Sequence, residues 1–225
     1  MNGMRVHGPT QGGGRAWPLA LLAVALLVAT GGAQTALLPV DEAAQQPDFF
    51  TFRAQLQRAI ATRDTAALLA AVHPDIKNSF GGDDGIAQFR KRWAIESDAG
   101  PLWDELGTVL ALGGAFHDAD TFVAPYVFAR WPEEVDAFEH LAIVGSRVRV
   151  RAAASASAEV VDSVSFAILP VATPRTPAKA GWTAVRVGRR VGYVASGYAR
   201  SPIAYRAIFA KGEGAWRLVT FVAGD

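Results

Sequence analysis

The sequence predicts an α+β protein. An α-rich N-terminal domain spans 48–140 and a small all-β barrel spans 141–200. A C-terminal β-hairpin over 201–225 docks back on the first domain. Three observations carry this expectation. Apolar residues recur at helical spacings as far as Leu110. From Leu141 onward they alternate at a spacing of two and stop at glycines. The charge also changes sign near residue 140: residues 34–140 hold 8 Lys/Arg and 17 Asp/Glu, whereas residues 141–225 hold 12 and 4. A balance of −9 against +8 marks a boundary. It leaves two readings open: the halves attract each other, or the basic half faces an anionic partner.

The N-terminus reads as an export signal over residues 1–33. Arg5 and Arg15 precede an apolar run from Trp17 to Ala29, and Thr30-Gly-Gly-Ala-Gln34 supplies a small-residue cleavage site after Ala33. A helix through that run reaches about 20 Å, short of the ~30 Å hydrocarbon core, so a cleaved signal fits better than a retained anchor. Membrane contact is then transient and the mature chain periplasmic or secreted. The 225 residues include no cysteine, which excludes a lipobox, disulfides, a thiol nucleophile and thiolate zinc.

The elements follow in order. Residues 34–47, with Pro39 and Pro47, read as a flexible leader. Phe49, Phe52, Leu56 and Ile60 share one helical face. Asp64 suits the N-cap of a second helix bearing Leu68, Leu69 and Val72, which His73-Pro74 ends. A turn over 78–82 precedes a third helix with Ile86, Phe89 and Trp93, capped by Asp83 and Asp84. Pro101 opens a fourth, with Leu102, Leu106, Val109 and Leu110 on one side, and Gly113-Gly114 stops it. Phe122 to Phe128 is extended, and Trp131-Pro-Glu-Glu134 begins a loop. At the far end, Ile203–Phe209 and Ala215–Val222 flank the turn Lys211-Gly-Glu-Gly214. Two strands alone are marginal, so this hairpin needs a host. The helical part is that host, which makes the first domain discontinuous.

The middle stretch runs Leu141-Ala-Ile-Val-Gly-Ser-Arg-Val-Arg-Val-Arg151, then Val160-Val161 and Val164, then Gly181-Trp182, Val185, Val187, Gly188, Gly192-Tyr193-Val194, Ser196 and Tyr198. In order and spacing it resembles the bacterial SH3-like (SH3b) module. It departs from that pattern at Arg149, Ala153-Ala154 and Ala199, and by one extra residue between Gly188 and Gly192. The resemblance implies an SH3-like barrel, a binding or spacing device without catalytic machinery. Its partner would be peptidoglycan, a peptide or another envelope protein.

The residues add candidate contacts. Alternation puts Arg147, Arg149 and Arg151 on the wet face opposite Val148 and Val150, and Arg189-Arg190 extends the positive surface. Solvated strand edges are the plainer reading of those arginines. Trp182, Tyr193 and Tyr198 are core or groove aromatics; the sequence favours core for Trp182 and groove for Tyr198.

Enzyme chemistry finds little support. His73, His117 and His140 are widely separated, and no His-x-His or His-Glu-x-x-His occurs. His117-Asp-Ala-Asp120 reads as a polar loop, Asp83-Asp84 as a cap, and His73 with Asp75 as a helix end. The expectation is a non-enzyme without cofactor or metal, and no nucleic-acid motif is present. A second resemblance rests on two short helices, Phe80-Gly-Gly-Asp-Asp-Gly85, Phe89, Trp93 and Gly214-Ala-Trp-Arg-Leu218. It is similar to the cone-shaped fold of nuclear-transport-factor-like and polyketide-cyclase-like proteins. That implies the alternative of a small-ligand or enzyme-like pocket in the N-terminal domain.

Overall fold

Pro47 begins helix α1 (Pro47–Ala61) where its missing N–H costs nothing, and the helix buries Phe49, Leu56 and Ile60. The computed structural model describes residues 1, 3, 35–97, 99–173 and 178–224. The expected export signal lies almost wholly outside the described residues, as do residues 174–177. Among the described residues no helix is long and apolar enough to cross a membrane. The fold is mixed α+β and mostly β.

Helix α2 (Thr65–Ala71) is capped as the sequence predicts: the Asp64 carboxylate accepts the Ala67 N–H at 2.9 Å. It stops before Val72, which instead opens strand β1 (Val72–Lys77). The strand was invisible to helical periodicity because Pro74 sits inside it. An edge tolerates that proline, and β1 is an edge, paired in parallel only with the last strand.

Helix α3 (Ile86–Trp93) corrects another expectation. Its N-cap is Gly85 at φ 91°, not an aspartate. Asp84 accepts the Asn78 N–H at 3.0 Å, and Asp83 takes Ser79 and Arg92. The carboxylates tie the 78–85 loop together and leave the helix end alone. Helix α4 (Pro101–Ala111) runs as predicted, and Gly113 follows it at φ 68°.

Strands β2 (Ala115–Asp118) and β3 (Thr121–Ala124) form a hairpin, and the short helix α5 (Tyr126–Ala129) follows. The extended reading of Phe122–Phe128 thus holds for its first half. Strands β4 (His140–Ile143), β5 (Val148–Arg151), β6 (Val160–Val164), β7 (Ile168–Pro170), β8 (Trp182–Val187), β9 (Arg190–Ala195) and β10 (Ala199–Arg200) fill the middle of the chain. The final hairpin is β11 (Arg206–Gly212) and β12 (Ala215–Val222).

The described strands make three sheets. The first has the order β1-β12-β11-β3-β2, so it joins strands from both ends of the chain. Its core face meets α1, α3 and α4 in one buried cluster that includes Phe49, Phe89, Leu106, Phe122, Phe209, Trp216 and Phe221. The C-terminal hairpin pairs with β3 and β1 in this sheet, and its Phe209, Trp216 and Leu218 lie in the same cluster as the helices.

The other two sheets, β10-β4-β7 and β6-β5-β9-β8, enclose a second cluster with Leu141, Ile143, Val148, Val150, Leu169, Val185 and Val194. The sequence predicts a closed barrel here, and the described pairing does not close one. Among the described residues a single bridge, Val171–Val185, joins the two sheets. The β5–β6 ladder also breaks at a bulge between Val150 and Arg151.

Residues 35–46 are not a free leader. Ala36 bridges Ala167, Leu37 is buried among Tyr126, Val127, Ala142 and Ile168, and Asp41 bridges Gly114. Arg53, buried in α1, donates to both Asp41 oxygens at 2.6 and 2.9 Å. The polar composition hid a strap whose apolar anchors are few.

Candidate functional site

Alternation along β5 sends Val148 and Val150 inward and leaves Arg149 and Arg151 outward. Just before the strand the chain turns through Arg147 at φ 51°, and the Arg147 N–H donates to Ser165 Oγ at 2.7 Å. That turn sets Ser146 and Arg147 at one end of the arginine row. At the other end Arg151 Nη1 donates to the Ala158 carbonyl at 2.7 Å, which fixes the guanidinium beside the 152–158 loop.

The opposite wall is aromatic. Trp182 opens β8 opposite Ala195 on β9. Tyr198 closes a 3-10 turn over Ser196–Tyr198, and its carbonyl accepts the Val144 N–H at 2.9 Å. A Cβ on Gly145 would stand 3.0 Å from the Tyr198 ring, so glycine there lets the ring lie against the backbone. Together Ser146, Arg147, Arg149, Arg151, Trp182 and Tyr198 line a groove of about 400 Å³.

Five of the eight residues singled out from the sequence meet in this groove. Trp182 is a correction: it is half-buried on the groove wall and takes no part in the buried cluster, because its position at the strand start lies beyond the covered face. Arg189 and Arg190 lie apart, exposed at the β8–β9 turn. Tyr193 is half-buried on β9 opposite Ala184 and Arg151, outside the groove lining. Ser146, Val148, Ala156 and Ala195 complete the lining, and the sequence singles out none of them as a contact. Ala156 belongs to the run of small residues, whose composition signals a rim without naming a contact.

The groove carries no acidic side chain among its lining residues. Among the described residues Arg147, Arg149 and Arg151 enter no ion pair, and Arg149 faces Ser163 across the ladder. Acidic side chains of the first half reach the basic half at other points. Glu105 meets Arg200 at 3.0 Å, and Asp48 meets Lys211 at 2.6 Å. The Lys211 hydrogen bond is the main reason the Asp48 carboxyl is held below its ordinary range.

The remaining candidates resolve into local structure. His117, Asp118 and Asp120 lie around the β2–β3 turn, where Asp118 accepts the Asp120 N–H at 2.9 Å and is held below the usual carboxylate range by it. His73 Nδ1 accepts the Asp75 N–H at 3.1 Å. No cluster of His, Asp or Glu suited to a metal occurs among the described residues. No protein-family model matches the chain, and no curated protein or solved structure matches it either.

Proposed function

We propose that this is a non-catalytic protein of the bacterial cell envelope, and that its 141–200 stretch is an open SH3-like module that holds peptidoglycan. The single observation behind this is the groove. Three guanidinium groups without carboxylate partners among the described residues line one hollow with Trp182 and Tyr198. A ligand suited to it carries negative charge and a flat or ring-shaped body. Peptidoglycan offers both: carboxylates on its stem peptides pair with Arg, and its sugar rings lie against aromatic faces. The export signal read from residues 1–33 would bring the chain to that polymer.

The two halves do attract each other through ion pairs, but those pairs use none of the groove arginines. The contacts Glu105–Arg200 and Asp48–Lys211 leave the arginine row facing solvent. The alternative, a small-ligand or enzyme-like pocket in the N-terminal domain, is not seated in the core between the first sheet and its helices. Phe49, Phe122, Phe209 and Trp216 pack ring against ring there, with Phe49 and Phe122 centroids 4.2 Å apart.

The test is co-sedimentation with purified peptidoglycan, using residues 32–225, which form one compact unit. The unit should sediment at low ionic strength and come free near 1 M salt, where the Debye length falls to ~3 Å. Arg149→Glu and Trp182→Ala should each weaken retention about tenfold, roughly the loss of one charge-assisted or stacking contact. Absence of sedimentation at low salt overturns the wall-binding reading.

A further inference from the structure

A second hollow lies at the opposite end of the chain's pairing, around the tip of the C-terminal hairpin. The cause is in the register of β1. Val72 pairs with Leu218 and Lys77 with Thr220, so β1 bows away from β12 and never reaches residues 215–217. The hairpin tip is left without a strand beside it, and α2 stands there instead. Cross-strand pairing puts Ala210 with Arg217 and Gly212 with Ala215 on the face away from the core cluster. These small residues make a low floor from which Arg217 rises. The resulting groove measures about 750 Å³, within the range of small-molecule sites. Leu69, Val72, Pro74, Ile86 and Val219 give it apolar walls. A smaller hollow of about 270 Å³ between α1 and α2 meets it, since Ala70 and Arg217 line both.

Arg217 is the distinguishing feature. Its Nη1 donates to the Trp216 carbonyl at 3.1 Å, and it joins no ion pair among the described residues. The neighbouring Lys211 is already held by Asp48 at 2.6 Å. Glu213, the acidic residue of the lining, belongs to the hairpin turn at φ 50°. A half-buried guanidinium where two hollows meet, in a groove with His73, Lys211 and Glu213 on its polar side and Leu69, Val72, Ile86 and Val219 on its apolar side, suits a molecule with a single anionic head and an apolar body. We propose that this groove binds a medium-chain fatty acid or a similar monoanionic amphiphile. Its carboxylate sits on Arg217 and its chain lies along Leu69, Val72, Ile86 and Val219. The site is separate from the arginine–aromatic groove and does not depend on its function.

The experiment is calorimetric titration of residues 32–225 with decanoate, with decanol and decyltrimethylammonium as neutral and cationic probes of the same chain length. Saturable binding of decanoate is expected, at least tenfold tighter than either other probe. Arg217→Gln should weaken it tenfold or more, because a charge-assisted pair is lost. Ala70 is exposed, so Ala70→Phe fills the junction of the two hollows without entering the core and should abolish binding. Trp182→Ala should leave decanoate binding unchanged, which separates this site from the wall-binding groove. Circular dichroism of each variant checks that it folds. No saturable binding, equal affinity for the cationic probe, or unchanged affinity in both Arg217→Gln and Ala70→Phe would overturn the proposal.

Discussion

Replacing Gly192 by alanine tests how the β-rich half is packed. A Cβ at this position would lie 2.4 Å from Val150 Cγ1 and 3.3 Å from the Arg151 carbonyl. Ordinary carbon–carbon contact is ~3.5–4.0 Å, so the overlap exceeds about 1 Å. Val150 is fully buried, and a β-branched side chain has few χ1 positions to retreat to. The strain therefore passes to the backbone, where β5 and β9 meet at Arg151 and Tyr193. Overpacking of this kind costs ~1–3 kcal/mol, less ~0.4–1 kcal/mol gained by stiffening the unfolded chain. An overlap this large on a buried β-branched residue puts the cost at the upper end, so the net loss should be about 2 kcal/mol, read as a fall in the urea midpoint of roughly 1 M. Gly197→Ala is the control, since nothing lies within 4 Å of its Cβ, and should stay within ~0.5 kcal/mol of the parent. Val150→Ala combined with Gly192→Ala should be less destabilised than the sum of the two single changes, because the clash is removed. If Gly192→Ala matches Gly197→Ala, the close approach of β5 and β9 is wrong.

Three further outcomes are expected. Asp64→Ala should cost ~1 kcal/mol in urea unfolding, because the Ala67 N–H loses its acceptor, whereas Asp64→Asn should cost little. The Tyr126 hydroxyl is buried without a hydrogen-bond partner among the described residues, and burial pushes its pKa up from 10.0. Tyr126→Phe should then leave stability unchanged or raise it, and a spectrophotometric titration should lose its latest-ionising tyrosine. Asp48, Asp83 and Asp118 all ionise below their ordinary 3.8 in the folded chain, Asp48 through Lys211, Asp83 through Ser79 and Arg92, and Asp118 through the Asp120 N–H. Their stabilisation is present above the unfolded value of about 3.9 and lost as pH falls through the lower folded values. The melting temperature should hold steady from about pH 7 to 5 and decline only below about pH 4, less steeply in Lys211→Met. A decline centred between pH 5 and 6 would contradict the assignment.

Much of this architecture can be read from local pattern. Helices α1, α2 and α4 announce themselves by apolar spacing, Asp64 and Pro101, and the last hairpin by Gly212 and Gly214. The strands of the 141–200 stretch follow from alternation, as do the outward arginines. Two of the misses, β1 and the strap, depend largely on partners distant in sequence, and the others on local competition or position. β1 carries Pro74 and forms because β12 offers it an edge 140 or so residues later. The strap over 35–46 looks loose in the sequence because the partners of Ala36, Asp41 and Glu42, namely Ala167, Arg53 and Arg130, lie outside it. Asp83 and Asp84 suit a cap by composition, yet Asn78 and Ser79 compete for them and win. Trp182 shows the same limit within the groove. Residue type favours burial, but position at the start of β8 puts its ring on the wall.

The most direct measurement is a nuclear magnetic resonance titration of residues 32–225 with soluble disaccharide–peptide fragments of peptidoglycan, following the indole N–H signals. The signal of Trp182 should move and saturate, and Arg149→Glu should suppress the movement, while Trp93 and Trp103 stay still in their buried sites. A Trp182 signal that never moves, or movement confined to other tryptophans, would contradict the claim that the arginine–aromatic groove is where this protein holds its ligand.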